Sequence, residues 1–185
     1  MADNKKNGAQ KKKRRRSYLA DYKKDANGKS HYTGNVYAFD GDDSERKKYV
    51  IITGAFTAAI FALAFAQECL PGTQMSNTFY VLIPWLLQFL AASYLAWAYV
   101  RFAFDGPRLK EYVYEKTEKQ FPLRSLLVLI FCGATVVAEI IFICINGTGD
   151  RVAPTLARPS LSLINGAVSL LLHLLVKGKE RYRKI

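Results

Sequence analysis

Two histidines and three cysteines are the whole supply of soft metal ligands in this chain, and they form neither a CxxC pair nor a Cys/His cluster. That excludes the common zinc and thiol–disulfide motifs. Also missing are a phosphate-cradling glycine loop, a Ser or His–Asp set of the membrane-protease kind, and the paired acids of a phosphotransferase. Nucleophilic and metal catalysis need such sets at workable spacing. The chain is therefore expected not to be an enzyme, and no cofactor or metal is expected. Acidic residues are scarce too, 15 against 27 basic ones, for a net charge of +12. Most telling is where charge is absent. Residues 50–66, 79–100 and 159–176 carry none, and residues 125–145 carry Glu139 alone.

Crossing a bilayer takes about 20 mostly apolar residues, and each of these four runs qualifies. They predict an all-α membrane protein built as a four-transmembrane-helix bundle. A soluble bundle would be left with little polar surface by four such runs. The first run starts near residue 50 behind a charged segment and is too long for a signal-peptide core, so no cleavage is expected. The expected organisation is a basic tail over 1–48, a membrane domain over 49–177 with a loop at 101–124, and a basic C-terminus over 178–185. Cys69 and Cys144 both fall near the same ends of their spans, where a disulfide is one option. Use of all three cysteines as small apolar residues is the simpler reading.

Lys and Arg mark the cytoplasmic side. Residues 1–49 hold 14, the 101–124 loop 6 and the C-terminal segment from Lys177 5, whereas the two remaining connections hold only Arg151 and Arg158. The expectation is a multi-pass protein of the plasma (inner) membrane with both termini cytoplasmic.

The tail is rich in Lys, Asn, Gly and Asp and poor in aliphatic residues, so it is expected to be largely disordered. Its block Lys11, Lys12, Lys13, Arg14, Arg15 and Arg16 suits nucleic acid, a localisation signal or anionic lipid. Tethered beside a bilayer, it should meet lipid headgroups, at about 1 kcal/mol per residue, or simply fix topology. Nucleic acid is disfavoured, because no fold or stacking motif supports it. In the 101–124 loop, Pro107 and Pro122 bracket a short helix with Leu109, Tyr112 and Val113 on one face. It would lie on the membrane surface or pack under the bundle. AFDG occurs at 38–41 and 103–106, each ahead of a charged stretch and a span, as a duplicated hairpin would leave it. Asn146-Gly147-Thr148 matches a glycosylation acceptor, although it abuts the membrane.

Small residues let helices approach closely in lipid. Gly54, Ala58, Ala62 and Ala66 recur every four residues in the first span and make a smooth ridge. It would pack inside a monomeric bundle, or face a membrane-protein partner or a second copy. Polar groups inside the spans are rarer. Asn165, Ser169 and His173 form a stripe on the fourth span, and Gln88 sits in the second. Glu139 is the only acid well inside a span. At 1.5 Å per residue, Glu139 and Asn165 both come out roughly 10 Å deep from the outer ends of their spans, with Gln88 and Ser169 deeper. A carboxyl group there must be protonated, partnered or facing water. With no basic residue in the spans, the expected partners are Asn165 and Gln88.

Two functions fit. A non-enzymatic accessory, scaffolding or regulatory component of a membrane assembly would bury Glu139 in helix contacts. A small transporter or permease subunit would turn Glu139, Asn165, Gln88 and Ser169 towards a cavity that binds a proton, cation or polar solute.

Overall fold

The computed structural model describes residues 22–25, 28–70, 74–148, 152–178 and 181–185. Four long helices dominate it: α1 (Asp43–Ala66), α2 (Phe79–Phe104), α4 (Phe121–Asn146) and α5 (Val152–Val176), with a short α3 (Glu111–Lys116) before α4. All four long helices have the length and composition to cross a membrane. They form a ring in chain order, α1 against α2, α2 against α4, α4 against α5 and α5 against α1. Each inner face follows the seven-residue spacing of knobs-into-holes packing. On α1 it is Tyr49, Thr53, Thr57, Ile60 and Ala64; on α5 it is Arg158, Ser162, Asn165, Ser169, Leu172 and Val176. Leu163, Leu170, Leu171 and Leu174 of α5 point outward. The helix thus turns its apolar side outward and its polar side to its neighbours.

The helices outrun the apolar segments. α1 starts seven residues before the first span and α5 seven before the fourth, with Pro159 inside α5. An interior proline loses one backbone bond, which neighbouring helices compensate in a membrane bundle.

One end of the bundle is closed by a sheet the sequence did not announce. β3 (Val36–Phe39) is the central strand, antiparallel to β4 (Arg108–Lys110) on one edge and β5 (Tyr182–Lys184) on the other. Tyr37 pairs with Leu109, and Phe39 with Tyr182. Three distant parts of the chain therefore meet, and the N-terminal segment, the central loop and the C-terminus share one end of the bundle. Phe39, Tyr182 and Tyr49 pack with Phe102 and Phe121 at ring separations of 5.4–6.5 Å. Tyr37 stacks on Tyr114 at 4.2 Å. A further hairpin joins β1 (Tyr22–Lys24) to β2 (Ser30–Tyr32), turning through Gly28 at φ 75°.

Three expectations are sharpened here. Within residues 30–48 of the tail the chain forms β2, β3 and the start of α1, with Tyr32, Val36, Tyr37 and Phe39 supplying apolar surface that a composition averaged over the tail hides, while residues 1–21 lie outside the described residues. Of the two placements open to the loop segment, it takes the one under the bundle, where Leu109 and Val113 are buried. The two AFDG copies do different things: the first ends β3, the second ends α2 with Phe104 exposed. A duplicated hairpin gains no support from them. Residues 11–16 lie outside the described residues.

Beneath the sheet, just ahead of α4, the Tyr49 hydroxyl donates to Glu118 Oε1 at 2.9 Å. Burial pushes the Glu118 carboxyl up to about 7, against the opposing pull of the Tyr49 bond and Arg181. The folded protein therefore holds this proton through a range where an unfolded glutamate, ionising near pH 4.3, has lost it. Stability at this end should fall as pH rises from about 4.5 to 7. Thermal unfolding in detergent should show that fall, and Glu118→Gln should flatten it; an unchanged slope in the variant would assign the dependence elsewhere.

Candidate functional site

At the end opposite the sheet, five side chains from four elements close into one charged cluster. Its centre is Arg158, one helical turn before Ser162 on α5. Arg158 Nε donates to Glu139 Oε1 at 3.0 Å, and Ser162 Oγ donates to Glu139 Oε2 at 2.8 Å. Both oxygens of Glu139 are thereby occupied. Arg158 Nη1 donates to Ser76 Oγ at 2.7 Å, and Nη2 donates to Glu68 Oε1. Ser76 then donates to Glu68 Oε2 at 2.7 Å. Glu68 lies just past α1 and Ser76 in the short 3-10 helix Gln74–Asn77 before α2. Arg158, Glu139 and Ser162 are wholly buried, whereas the Glu68 side chain keeps 23% exposure. One guanidinium thus serves two carboxylates, one sealed inside and one at the rim. Arginine suits this place because its planar fork stays charged and reaches several acceptors at once.

The arrangement locks α4 to α5 and ties both to the α1–α2 connection. Its hydrogen bonds run among its own members. Among the described residues no group of His, Cys, Asp and Glu is placed to hold a metal ion.

The expected partners of Glu139 are therefore corrected. Asn165 and Gln88 are fully buried, but the side-chain nitrogen and oxygen of each meet no hydrogen-bonding group among the described residues. The depth argument failed at the start of α5. Counting from Val152 rather than Pro159 puts Asn165 roughly 10 Å further from the helix end. Arg158 and Ser162 move to the level of Glu139 instead. Ser169 is buried beside Cys132. His173 is remote, its Nδ1 3.0 Å from the Pro122 carbonyl and 3.2 Å from Ser125 Oγ at the sheet end. All three cysteines are free, Cys132 buried and the others exposed.

The small-residue ridge is also re-placed. Gly54 packs directly beneath Tyr99, whose hydroxyl donates to the Val50 carbonyl at 3.0 Å. Ala58 and Ala62 instead lie exposed on the outside of the bundle, and Ala66 is half-buried. Gly54 makes a close interhelical approach, to Tyr99 of α2.

Sequence reasoning missed Arg158, Glu68 and Ser76. A signal was present: 158, 162, 165 and 169 continue one helical face, and Glu68 is the lone acid of its connection. Fold and cluster together define a small polytopic membrane protein, a helical bundle pinned at one end by buried charge. No protein-family model, curated protein or solved structure matches the chain.

Proposed function

We propose that this protein is a non-enzymatic accessory or scaffolding component of a membrane assembly, with the sheet end in the cytoplasm. The observation that carries the reading is the closure of the Glu139 site. A carboxylate with both oxygens bonded and no exposure holds helices together, and it presents nothing to a solute. The exposed Ala58 and Ala62 give the outer face of α1 a shallow profile on which a partner helix or a second copy can pack closely. The sheet end carries nearly all the Lys and Arg, which supports its cytoplasmic placement. Lys11–Arg16 would add anionic-lipid contact there, weakened by salt.

A transporter is the second reading, favoured by the buried amides of Asn165 and Gln88, which have no hydrogen-bonding partner among the described residues. Both readings meet in one experiment. Ala58→Leu and Ala62→Leu should leave the monomer folded, since both side chains point outward, while reducing crosslinking of the protein to its neighbours in native membranes several-fold. Proteoliposomes should show no proton or cation flux above empty vesicles. Flux that Glu139→Gln abolishes would establish the transporter reading instead.

A further inference from the structure

A cleft of about 530 Å³ opens between the edge of the sheet, α1 and α5, where the charged segments give way to the apolar spans. That volume falls within the range of small-molecule sites, roughly 300–1,000 Å³. Its walls change character along their length. Ile52 and Leu175 line the part nearest the spans, and Ile52 is 43% exposed. Above them lie two cations, Lys48 and Arg181, and two carboxylates, Asp40 and Glu45. Phe39 and Tyr49 complete the lining.

These charges do not cancel one another. Among the described residues neither Glu45 nor Lys48 is in an ion pair, although they stand three apart on α1. Asp40 is held by Arg183 at 2.9 Å through one oxygen. The Arg181 guanidinium lies 3.9 Å from the centre of the Tyr49 ring and donates to the Leu175 carbonyl through Nη2 at 3.3 Å. Its position is therefore fixed while its other N–H groups are uncommitted among the described residues.

We propose that this cleft binds an aminophospholipid headgroup, a phosphate diester carrying a primary ammonium. Lys48 and Arg181 would take the phosphate, as charge-assisted donors do. Glu45 and the outer oxygen of Asp40 would take the ammonium, and the acyl chains would run down past Ile52 and Leu175. A headgroup with negative charge alone would meet repulsion from Asp40 and Glu45. One with a trimethylated amine could not donate to them. The site depends on the membrane reading but not on which leaflet the sheet end faces, nor on the accessory role.

The test is titration of the full-length protein in detergent, read by native mass spectrometry. Phosphatidylethanolamine should bind about tenfold better than phosphatidylglycerol or phosphatidylcholine, the scale of losing one hydrogen bond to a charged group. Lys48 and Glu45 are exposed, so substitutions there keep the fold. Lys48→Ala should weaken ethanolamine-lipid binding several-fold, and Glu45→Lys should erase its advantage over phosphatidylglycerol. Equal binding of the three lipids, or an unchanged ranking in Glu45→Lys, overturns the proposal. Glycerophosphoethanolamine, the headgroup without its chains, should compete only at far higher concentration. Competition at the lipid's own concentration would make the ligand a soluble phosphate ester and refute the lipid assignment.

Discussion

Exchanging Arg158 for Met should cost the bundle about 3–5 kcal/mol of stability, the usual penalty for removing one partner of a buried ion pair. Arg158 is fully buried and makes bonds to Glu139, Ser76 and Glu68. Its loss strands a carboxylate of zero exposure, because the remaining donor to Glu139 is the Ser162 hydroxyl. Glu68, at the rim, can turn to water. The damage should therefore centre on Glu139, and adding Glu139→Gln to Arg158→Met should restore most of the stability. Buried pairs replaced together by uncharged groups of similar size are often neutral or stabilising. Glu139→Gln alone should cost less than Arg158→Met, because Glu68 still neutralises the guanidinium. Unfolding in mixed detergent, for the two single variants and the double one, measures all three. If Arg158→Met unfolds like the unsubstituted protein, the cluster does not hold the helices.

The second large effect should come from one added methyl group. A Cβ at Gly54 would fall 2.6 Å from Tyr99 Cζ and nearer still to its hydroxyl oxygen. Gly54→Ala must push the ring aside and break the bond from Tyr99 to the Val50 carbonyl. Overpacking of this kind costs roughly 1–3 kcal/mol. Gly133 on α4 is the control, since a Cβ there meets nothing within 4 Å. Gly133→Ala should be neutral or gain up to about 1 kcal/mol from helix propensity. Equal thermal stability of the two variants would mean that α1 and α2 are not in the contact described.

Both sites show where the sequence stops being informative. A four-residue repeat of small side chains says that a ridge exists, but not which way it faces. Turning α1 about its axis moves Gly54 under Tyr99 and leaves Ala58 and Ala62 outside, and that rotation is set by Thr53, Thr57 and Ile60 packing inward. The tail shows a different limit. Composition averaged over 48 residues points to disorder, whereas a strand needs only a few: Tyr37 and Phe39 suffice once β4 and β5 flank them. No local pattern in a four-residue strand names partners some 70 and 145 residues away.

What the sequence alone determined is the set of four helices long and apolar enough to cross a membrane, and that the segments before the first and after the last of them share one end of the bundle. The first follows because a bilayer permits few alternatives to long apolar helices, the second because an even number of spans returns the chain to its starting side. Tertiary structure decided the rest. Arg158 reads from the sequence as a loop residue, and only the extension of α5 through Pro159 carries it inside to Glu139. Hydropathy locates the edge of an apolar run, but a helix ends where its backbone and side chains run out of partners. The partners of Arg158 come from Glu68, Ser76 and Glu139, on three other elements.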